Sequence, residues 1–454
     1  MDLIYGIKDK PKFRQLIVFA IQQLLAIMAA TLVVPIITNG AWGISGTPDA
    51  LSPAAALFGA GVGTLVYVLF TKANSPVFLG SSFAFLGSMA AAFSGSIAVA
   101  KLGLIVGAIF AGLVYVFIAL IVKFVGVKWI NKLMPPVVIG PTVAIIGLSL
   151  AGNAIGDLTT ASYAGGSVYA AVAVGIVTLT VTMLCSTYGK KTARLIPFIF
   201  GVLSGYAVAV IFFLIGNATG NDAWKVINFT PLVEAFSPVT FGSFFSVPNF
   251  TFVGAIEGLK EISGADIAAV AVAYIPVAFV VFAEHIADHK NLSTIIGKEL
   301  LEEPGLHRTL LGDGVGSMAG AFFGGCPNTT YGESIGCVAI TRNASVATII
   351  TTAALALIIA FLTPFVAFVN TIPSCVMGGM CITLYGFIAV SGLKMIQKVD
   401  LGQNRNLFVV SVILIAGIGG LTLSFGNVTL TSIACALILG ILANLILSKE
   451  KAAE

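Results

Sequence analysis

The sequence predicts an all-α protein that crosses a membrane many times, and two observations support this. Of the 454 residues, 58% are hydrophobic and only 9% are charged, whereas charged residues make up about 25% of a typical soluble domain. The apolar residues also gather in runs of about 20, the length that a helix needs to cross a bilayer. A cytosolic enzyme, a secreted disulfide scaffold and a disordered chain are therefore excluded.

Fourteen apolar stretches follow one another along the chain. Their continuous hydrophobicity favours helices over the alternating polarity of a transmembrane β-barrel. The third and the tenth are short or interrupted by polar residues. The stretches are 16–37, 53–71, 76–95, 101–124, 133–152, 168–186, 195–216, 267–288, 309–325, 328–341, 345–368, 373–393, 406–423 and 429–448.

The basic residues indicate on which side each loop lies. If the N-terminus is cytoplasmic, fourteen spans place all but three of the 23 Lys and Arg residues in cytoplasmic loops; the exceptions are Lys101, Lys225 and Lys260. This distribution follows the positive-inside rule. We therefore expect both termini in the cytoplasm. The charged N-terminus leads straight into the first span, so we expect no cleavable signal peptide.

A polar stretch at 217–264, expected outside the membrane, divides the spans into two sets of seven. A second set of seven spans re-enters from the opposite side, so two such repeats would be inverted, as in many secondary transporters. The segments Met134–Gly140 and Ile372–Gly378 each open the fifth span of a half and share Pro, Val and Gly at the same spacing. The inverted repeat is thus predicted from both topology and pattern.

The two interrupted spans are the third of each half, and both contain Pro and Gly, in the segments Pro76–Phe85 and Pro327–Gly336. Paired broken helices of this kind are the best sequence indication of a binding site at the membrane midplane. Lipid cannot satisfy unwound backbone, so these segments must face a cavity or a ligand.

Ionisable side chains cost about 2.5–3.5 kcal/mol within a bilayer and therefore indicate function. Glu284 and Asp288 are four residues apart, on one face of a helix, and His285 and His289 share the adjacent stripe. We expect a functional role for Glu284. For Asp288 and His289 the simpler interpretation is the wet cytoplasmic end of the span, because Lys290 follows at once.

Three further residues bear on the site. Asp313 lies between two glycines, where interaction with a helix N-terminus is a sufficient explanation. Glu333 lies in the second broken segment without a basic neighbour, so it needs a ligand N–H or a proton as partner. Phe83 lies in the first broken segment, where it could stack on a planar ligand.

These residues favour one type of ligand. Two carboxylates accept hydrogen bonds from ligand N–H groups, and unwound backbone N–H groups donate to ligand carbonyls. A flat, neutral molecule with alternating N–H and C=O groups fits, whereas a sugar or an inorganic anion fits worse. The segment His285–His289 resembles a zinc-protease pattern but lacks its Glu and a third ligand. The six cysteines form no CxxC pair and fit core positions. We expect no metal, no cofactor and no enzymatic activity.

At these residues the sequence resembles the nucleobase–ascorbate transporter family, in particular its bacterial uracil permeases, over nearly the whole chain. The strongest matches are Ala283-Glu284-His285, the run Pro304–Arg308 and the segment Pro327–Gly336. Purine-transporting members typically carry Gln where this chain has Glu333, so the resemblance is to the uracil branch.

The resemblance implies a fold of fourteen helices in two inverted repeats, with short antiparallel strands in broken spans 3 and 10. The implied domains are a substrate-binding core bundle at 15–124 and 265–368, a gate bundle at 129–219 and 373–448, and the extracytoplasmic linker 217–264. A homodimer is also implied.

The resemblance also assigns the site. Glu284 and Glu333 would bind the pyrimidine, Phe83 would stack on it, and the backbone at Tyr331 and Gly332 would contact a carbonyl. Ala30 in the first span would supply a further close contact.

The sequence departs from the family pattern at two residues implicated in proton coupling. Gln23 stands where many relatives have His, and Asp288 stands where a His often follows four residues after the Glu. Like-charge repulsion between Glu284 and Asp288 would favour a shared proton on this pair. The candidate proton-coupling residues are therefore Glu284, Asp288, His285 and Gln23.

The sequence thus predicts proton-coupled uracil uptake across the cytoplasmic membrane by alternating access. The expected partners are uracil, protons and the lipid bilayer, and no nucleic acid. The alternative within the family is a xanthine or other purine permease. A more distant alternative is an anion exchanger or channel of the same architecture, which would need a positively charged site.

Overall fold

The computed structural model describes residues 3–92, 95–126, 135–190, 192–425 and 428–449. The start of the predicted gate bundle at residue 129, Met134 of the repeated motif, and residues 93–94 of the third predicted stretch lie outside the described residues. The helices are Phe13–Trp42, Pro53–Phe70, Leu86–Ala91, Ile97–Val125, Pro136–Ser149, Ala151–Leu158, Val168–Tyr188, Thr192–Leu195, Pro197–Thr219, Thr230–Ala235, Thr251–Ala255, Gly264–Ile296, Leu306–Gly324, Gly332–Thr341, Val346–Ile359, Thr363–Asn370, Ser374–Ile396, Asn404–Ile418 and Ser432–Ile446.

The prediction of a mainly helical membrane protein is confirmed. Within the described ranges, eight helical segments are long and apolar enough to cross a membrane. Three shorter apolar helices follow in the second half, Val346–Ile359, Asn404–Ile418 and Ser432–Ile446. The count of fourteen spans and the inverted repeat stay predictions.

Two short buried strands, one in each broken segment, pair with each other. Strand β1 (Leu79–Ser81) pairs antiparallel with β2 (Asn328–Thr330). Beyond the strands, the amide of Ser82 donates to the carbonyl of Pro327 over 2.8 Å. The unwound backbone of each segment is thus satisfied largely by the other, as the membrane interior demands. A second antiparallel pair, Leu423–Phe425 with Val428–Leu430, lies between the helices Asn404–Ile418 and Ser432–Ile446.

Small residues allow the helices around the strands to approach closely. Gly63 of helix Pro53–Phe70 faces Gly316 of helix Leu306–Gly324, and a Cβ added at either would lie 2.6 Å from the carbonyl oxygen of the other. Helices in membranes commonly pack through small residues of this kind, which let the two backbones approach closely. Strand β2 is held against this contact, because Asn328 donates from Nδ2 to the carbonyl of Gly59 over 3.2 Å.

The helix Gly264–Ile296, here called the acidic helix, is longer than the apolar stretch 267–288 suggests. Ser263 and Asp266 form a capping box at its start, and Gly297 ends it in the left-handed conformation, with a φ of 70°. The helix therefore continues for two turns past Asp288. Its acidic residues lie inside a helix and not at a wet end.

The polar stretch 217–264 packs against both predicted bundles. Its aromatic ring Phe229 contacts Phe213, with 5.0 Å between ring centroids. Further along, Phe250 contacts Phe58 and Phe323, at 5.0 and 5.4 Å. The stretch thus contacts two different parts of the helical assembly, through Phe229 and through Phe250.

Candidate functional site

A small cavity of about 60 Å³ lies where the two strands meet the acidic helix. None of the described residues that line it is a Lys, Arg or His. Its walls are formed by Ser82, Phe83, Ala84, Val143, Ile146, Glu284, Thr329, Thr330, Tyr331, Gly332, Glu333, Leu384 and Ile388.

Two carboxylates face this cavity. Glu284 comes from the acidic helix, and Glu333 lies in the first turn of helix Gly332–Thr341. Both side chains are half-buried, and the ion pairs within the described part of the chain involve neither. Carboxylates removed from water need compensation by a hydrogen-bond donor or a proton. The cavity therefore suits a ligand that presents N–H groups.

Phe83 lies two residues after the end of β1 and lines the cavity. It packs edge-on against Tyr385, with 5.8 Å between ring centroids and an angle of 73°. Phe83 and Ile146 also line a second cavity of about 210 Å³, whose polar side chains include Thr38 and Asn153. Phe83 thus presents aromatic surface to both cavities, where a planar molecule could stack.

Tyr331 and Gly332 begin the helix that carries Glu333. The Tyr331 hydroxyl donates to the carbonyl of Ser81 over 2.8 Å, which ties this helix start to β1. The first backbone N–H groups of a helix have no partner within the helix and attract acceptor atoms. A ligand carbonyl can therefore bind at Gly332.

Asp288 does not line the cavity. It lies one turn after Glu284 on the acidic helix, half-buried, and its Oδ2 accepts a hydrogen bond of 2.7 Å from the Thr330 hydroxyl. Thr330 does line the cavity. The acid is therefore linked to the site through the end of β2, and not exposed at the cytoplasmic end of the helix.

His285 is fully buried and lies outside the cavity lining. Its Nδ1 is 2.7 Å from Oδ2 of Asp313, and its Nε2 is 2.9 Å from the Thr309 hydroxyl. The interpretation of Asp313 as a residue that interacts with a helix N-terminus is wrong, because this fully buried carboxyl is inside helix Leu306–Gly324 and pairs with another helix.

His289 continues this buried polar row. Its ring stacks on that of His285, with 4.1 Å between centroids, and its Nδ1 donates to the His285 carbonyl over 2.8 Å. Its Nε2 is 2.7 Å from the hydroxyl of Tyr67. The expectation of a wet position for His289 is wrong, because the helix continues past it and covers it. The capping signals at Ser263 and Gly297 could have indicated this.

Gln23 and Ala30 lie on the first long helix. Gln23 is buried, and its Nε2 donates to the Ser334 hydroxyl over 2.5 Å, next to Glu333. Ala30 is also buried and does not line the cavity; the neighbouring Thr31 hydroxyl is 3.4 Å from that of Tyr331. Of the residues predicted from the sequence, Glu284, Glu333, Phe83, Tyr331 and Gly332 therefore share the cavity. Gln23, Ala30, His285 and Asp288 lie outside its lining.

Sequence reasoning missed two kinds of lining residue. Leu384 and Ile388 come from helix Ser374–Ile396 in the predicted gate bundle, and in sequence they cannot be told from lipid-facing residues. Ser82 and Thr329 lie in the broken segments, but their hydroxyls carried no signal beyond that location.

Comparisons with known proteins show the family of this chain. The model of a family described as the Permease family matches residues 14–425. A protein of Bacillus subtilis strain 168 named uracil permease is 37% identical over 458 residues, which cover 98% of this chain and 95% of the relative. A uracil permease of Bacillus caldolyticus is 38% identical over 455 residues, covering 99% and 96%. One from Escherichia coli K12 is 34% identical over 444 residues, covering 97% and 93%.

Solved structures with the same fold come from more distant proteins. The transmembrane domain of a cyanobacterial bicarbonate transporter, BicA, matches with a TM-score of 0.60 at 15% identity, covering 97% of this chain and all of that domain. The murine anion transporter Slc26a9 in an inward-facing state matches with a TM-score of 0.63 at 13% identity, covering 97% and 69%. At these identities the likeness concerns the fold alone.

Proposed function

The chain belongs to this family of permeases, the nucleobase–ascorbate transporters, and is a membrane-embedded transporter rather than an enzyme; on this premise we propose that it carries uracil into the cell together with protons. Its similarity to uracil permeases over nearly the full length of both chains supports the substrate. The same similarity, with Glu333 in place of the Gln typical of purine carriers, favours uracil over xanthine.

The observation that carries this proposal is the pair of carboxylates, Glu284 and Glu333, in one cavity with Phe83 and without a cation among its described lining residues. Uracil presents two ring N–H groups that can donate to the two carboxylates. Its flat ring can stack on Phe83, and a ring carbonyl can accept from the backbone at Gly332. An anion would be repelled by the same carboxylates, which argues against the anion-exchanger alternative.

We infer proton coupling from the cost of moving the carboxylates Glu284 and Glu333 through a closed state of the carrier that excludes water. A proton on the acidic site removes a charge that the membrane interior disfavours. Glu284 and Asp288 are our candidates for the proton carrier, because they are one helical turn apart and Asp288 is linked to the site through Thr330. His285 and Gln23 would act by holding the neighbouring helices.

Alternating access would result from movement between the two predicted bundles. The predicted core supplies the two carboxylates, Phe83 and the paired strands β1 and β2. The predicted gate supplies the apolar wall, formed by Val143, Ile146, Leu384 and Ile388. Separation of the bundles on one side at a time would expose a site of this kind to each side in turn. We place the protein in the cytoplasmic membrane with both termini in the cytoplasm, in accord with the distribution of Lys and Arg. A homodimer stays a prediction from family resemblance.

Uptake of radiolabelled uracil tests the proposal. Cells that lack their own uracil uptake and express this chain should accumulate uracil faster at an acidic external pH than at an alkaline one. An excess of unlabelled xanthine, adenine or guanine should leave this uptake unchanged. Strong competition by a purine would support the purine alternative, and equal uptake at the two pH values would contradict proton coupling.

A further inference from the structure

Two buried hydroxyls in the cavity wall lack hydrogen-bond partners within the described chain. They belong to Ser82 and Thr329, which are 1% and 2% exposed. Most buried polar atoms in proteins are paired, so each exception calls for an explanation.

The neighbouring hydroxyls show that the local backbone can supply partners. Thr330 donates to Asp288, Ser334 accepts from Gln23, and Thr64 donates to the carbonyl of Leu79. Other buried hydroxyls without partners, including that of Ser81, do not line this cavity, whereas Ser82 and Thr329 do, one in each broken segment. Leaving a buried hydroxyl unpaired is unfavourable, so a group inside the cavity is the natural partner.

We propose that the Ser82 and Thr329 hydroxyls donate hydrogen bonds to a ring carbonyl of the substrate and are specificity-determining residues; this rests on the proposed function. The carboxylates Glu284 and Glu333 can only accept when ionised, and they therefore take the ring N–H groups. The backbone at Gly332 can donate to one carbonyl. A pyrimidine-2,4-dione has a second carbonyl. The hydroxyls of Ser82 and Thr329, one in each broken segment, can donate to it.

This assignment defines the class of ligand more narrowly than the carboxylates do. The site selects a six-membered ring with two N–H groups and two carbonyl groups. One of the N–H groups lies between the two carbonyls. An analogue in which the contacted oxygen is replaced by sulfur, a weaker hydrogen-bond acceptor, should bind less well. Substitution of sulfur at the other carbonyl provides an internal comparison.

Binding of uracil, 2-thiouracil and 4-thiouracil to the purified full-length protein tests the proposal, at a pH that keeps each compound uncharged. We expect the wild type to bind one of the thio analogues about two- to tenfold more weakly than uracil, the range for one neutral hydrogen bond. In Ser82→Ala, Thr329→Val or the double variant this difference should shrink towards unity. Ser82→Thr and Thr329→Ser keep a hydroxyl and should preserve it.

Ser81→Ala is the matched control, because Ser81 directly precedes Ser82 and is buried with an unpaired hydroxyl but does not line the cavity. It should leave the ratio of affinities as in the wild type. The proposal is overturned if neither thio analogue changes its ratio in the Ser82 and Thr329 variants, or if Ser81→Ala changes it equally. If the wild type binds no uracil at all, the proposed function itself fails. The single substitutions keep the test valid should the double variant not fold.

Discussion

Thr330 donates its hydroxyl to Asp288 over 2.7 Å, and this bond joins the end of β2 to the acidic helix one turn after Glu284. The bond connects an acid outside the cavity to a residue that lines it. A change of charge at Asp288 can therefore reach the substrate site through a single side chain. On the proposed function, Glu284 would contact the substrate, whereas Asp288 lies behind β2 and would carry the proton.

Replacement of Asp288 by Asn separates these tasks. Asn keeps an oxygen that can accept from Thr330, but it carries no proton at any pH reached in uptake experiments. We expect uracil binding to stay within about tenfold of the wild type, since loss of one neutral hydrogen bond costs about 0.5–1.5 kcal/mol at most. The dependence of uptake on external pH should become flatter. Thr330→Val, which removes the bond and keeps the acid, is the control, and an unchanged pH profile in Asp288→Asn would argue against Asp288 as a proton carrier.

Phe83 should contribute binding energy through its ring. Stacking of a base on an aromatic side chain is worth about 1–3 kcal/mol in alanine substitutions, so Phe83→Ala should weaken uracil binding by roughly fivefold or more. Phe85 provides the comparison, because its ring stacks on Tyr274 at 5.4 Å and does not line the cavity. Equilibrium binding of labelled uracil should distinguish Phe83→Ala from Phe85→Leu, and equal losses in the two would contradict a stacking role.

The buried pair of His285 and Asp313 should stabilise the packing between their two helices. Removal of one partner of a buried hydrogen bond typically costs about 1–3 kcal/mol, because the other partner is left unsatisfied. We expect His285→Ala and Asp313→Ala each to lower the unfolding free energy in this range, and the double variant to lose clearly less than the sum. Thermal unfolding of the purified protein in detergent measures this cycle, and strictly additive losses would show that the two side chains do not interact.

Close approach of glycines should limit substitution at the contact behind β2. A Cβ at Gly316 would lie 2.6 Å from the carbonyl oxygen of Gly63 and 2.8 Å from a methyl of Leu79. Gly316→Ala should therefore destabilise the protein by about 1–3 kcal/mol through overpacking. Gly386→Ala has open space around its Cβ and serves as control. Unaltered thermal stability of Gly316→Ala would mean that the helices can separate without cost.

Local sequence signals predicted the centre of the molecule well. Pro and Gly in two apolar stretches indicated the broken segments, and the structure has β1 and β2 there. Acidic residues are costly in a membrane, and this cost identified Glu284 and Glu333, which share the cavity. These features could be predicted because each is encoded within a few consecutive residues.

Contacts between distant helices could not be predicted in the same way. His285 and Asp313 are 28 residues apart, and their pairing depends on how the two helices are rotated about their axes. Leu384 and Ile388 line the cavity, yet in sequence an apolar residue facing a ligand looks like one facing lipid. The burial of His289 depends on where the acidic helix ends, which hydropathy alone placed too early.

The most direct test of the account is uracil accumulation by the double variant Glu284→Gln/Glu333→Gln, with the amount of protein in the membrane measured in parallel. Amides keep the size of both side chains but remove their negative charge and their capacity to hold a proton. We expect the variant to reach the membrane and to have lost accumulation of uracil. Undiminished accumulation at equal protein levels would contradict a carrier in which these two carboxylates bind the base.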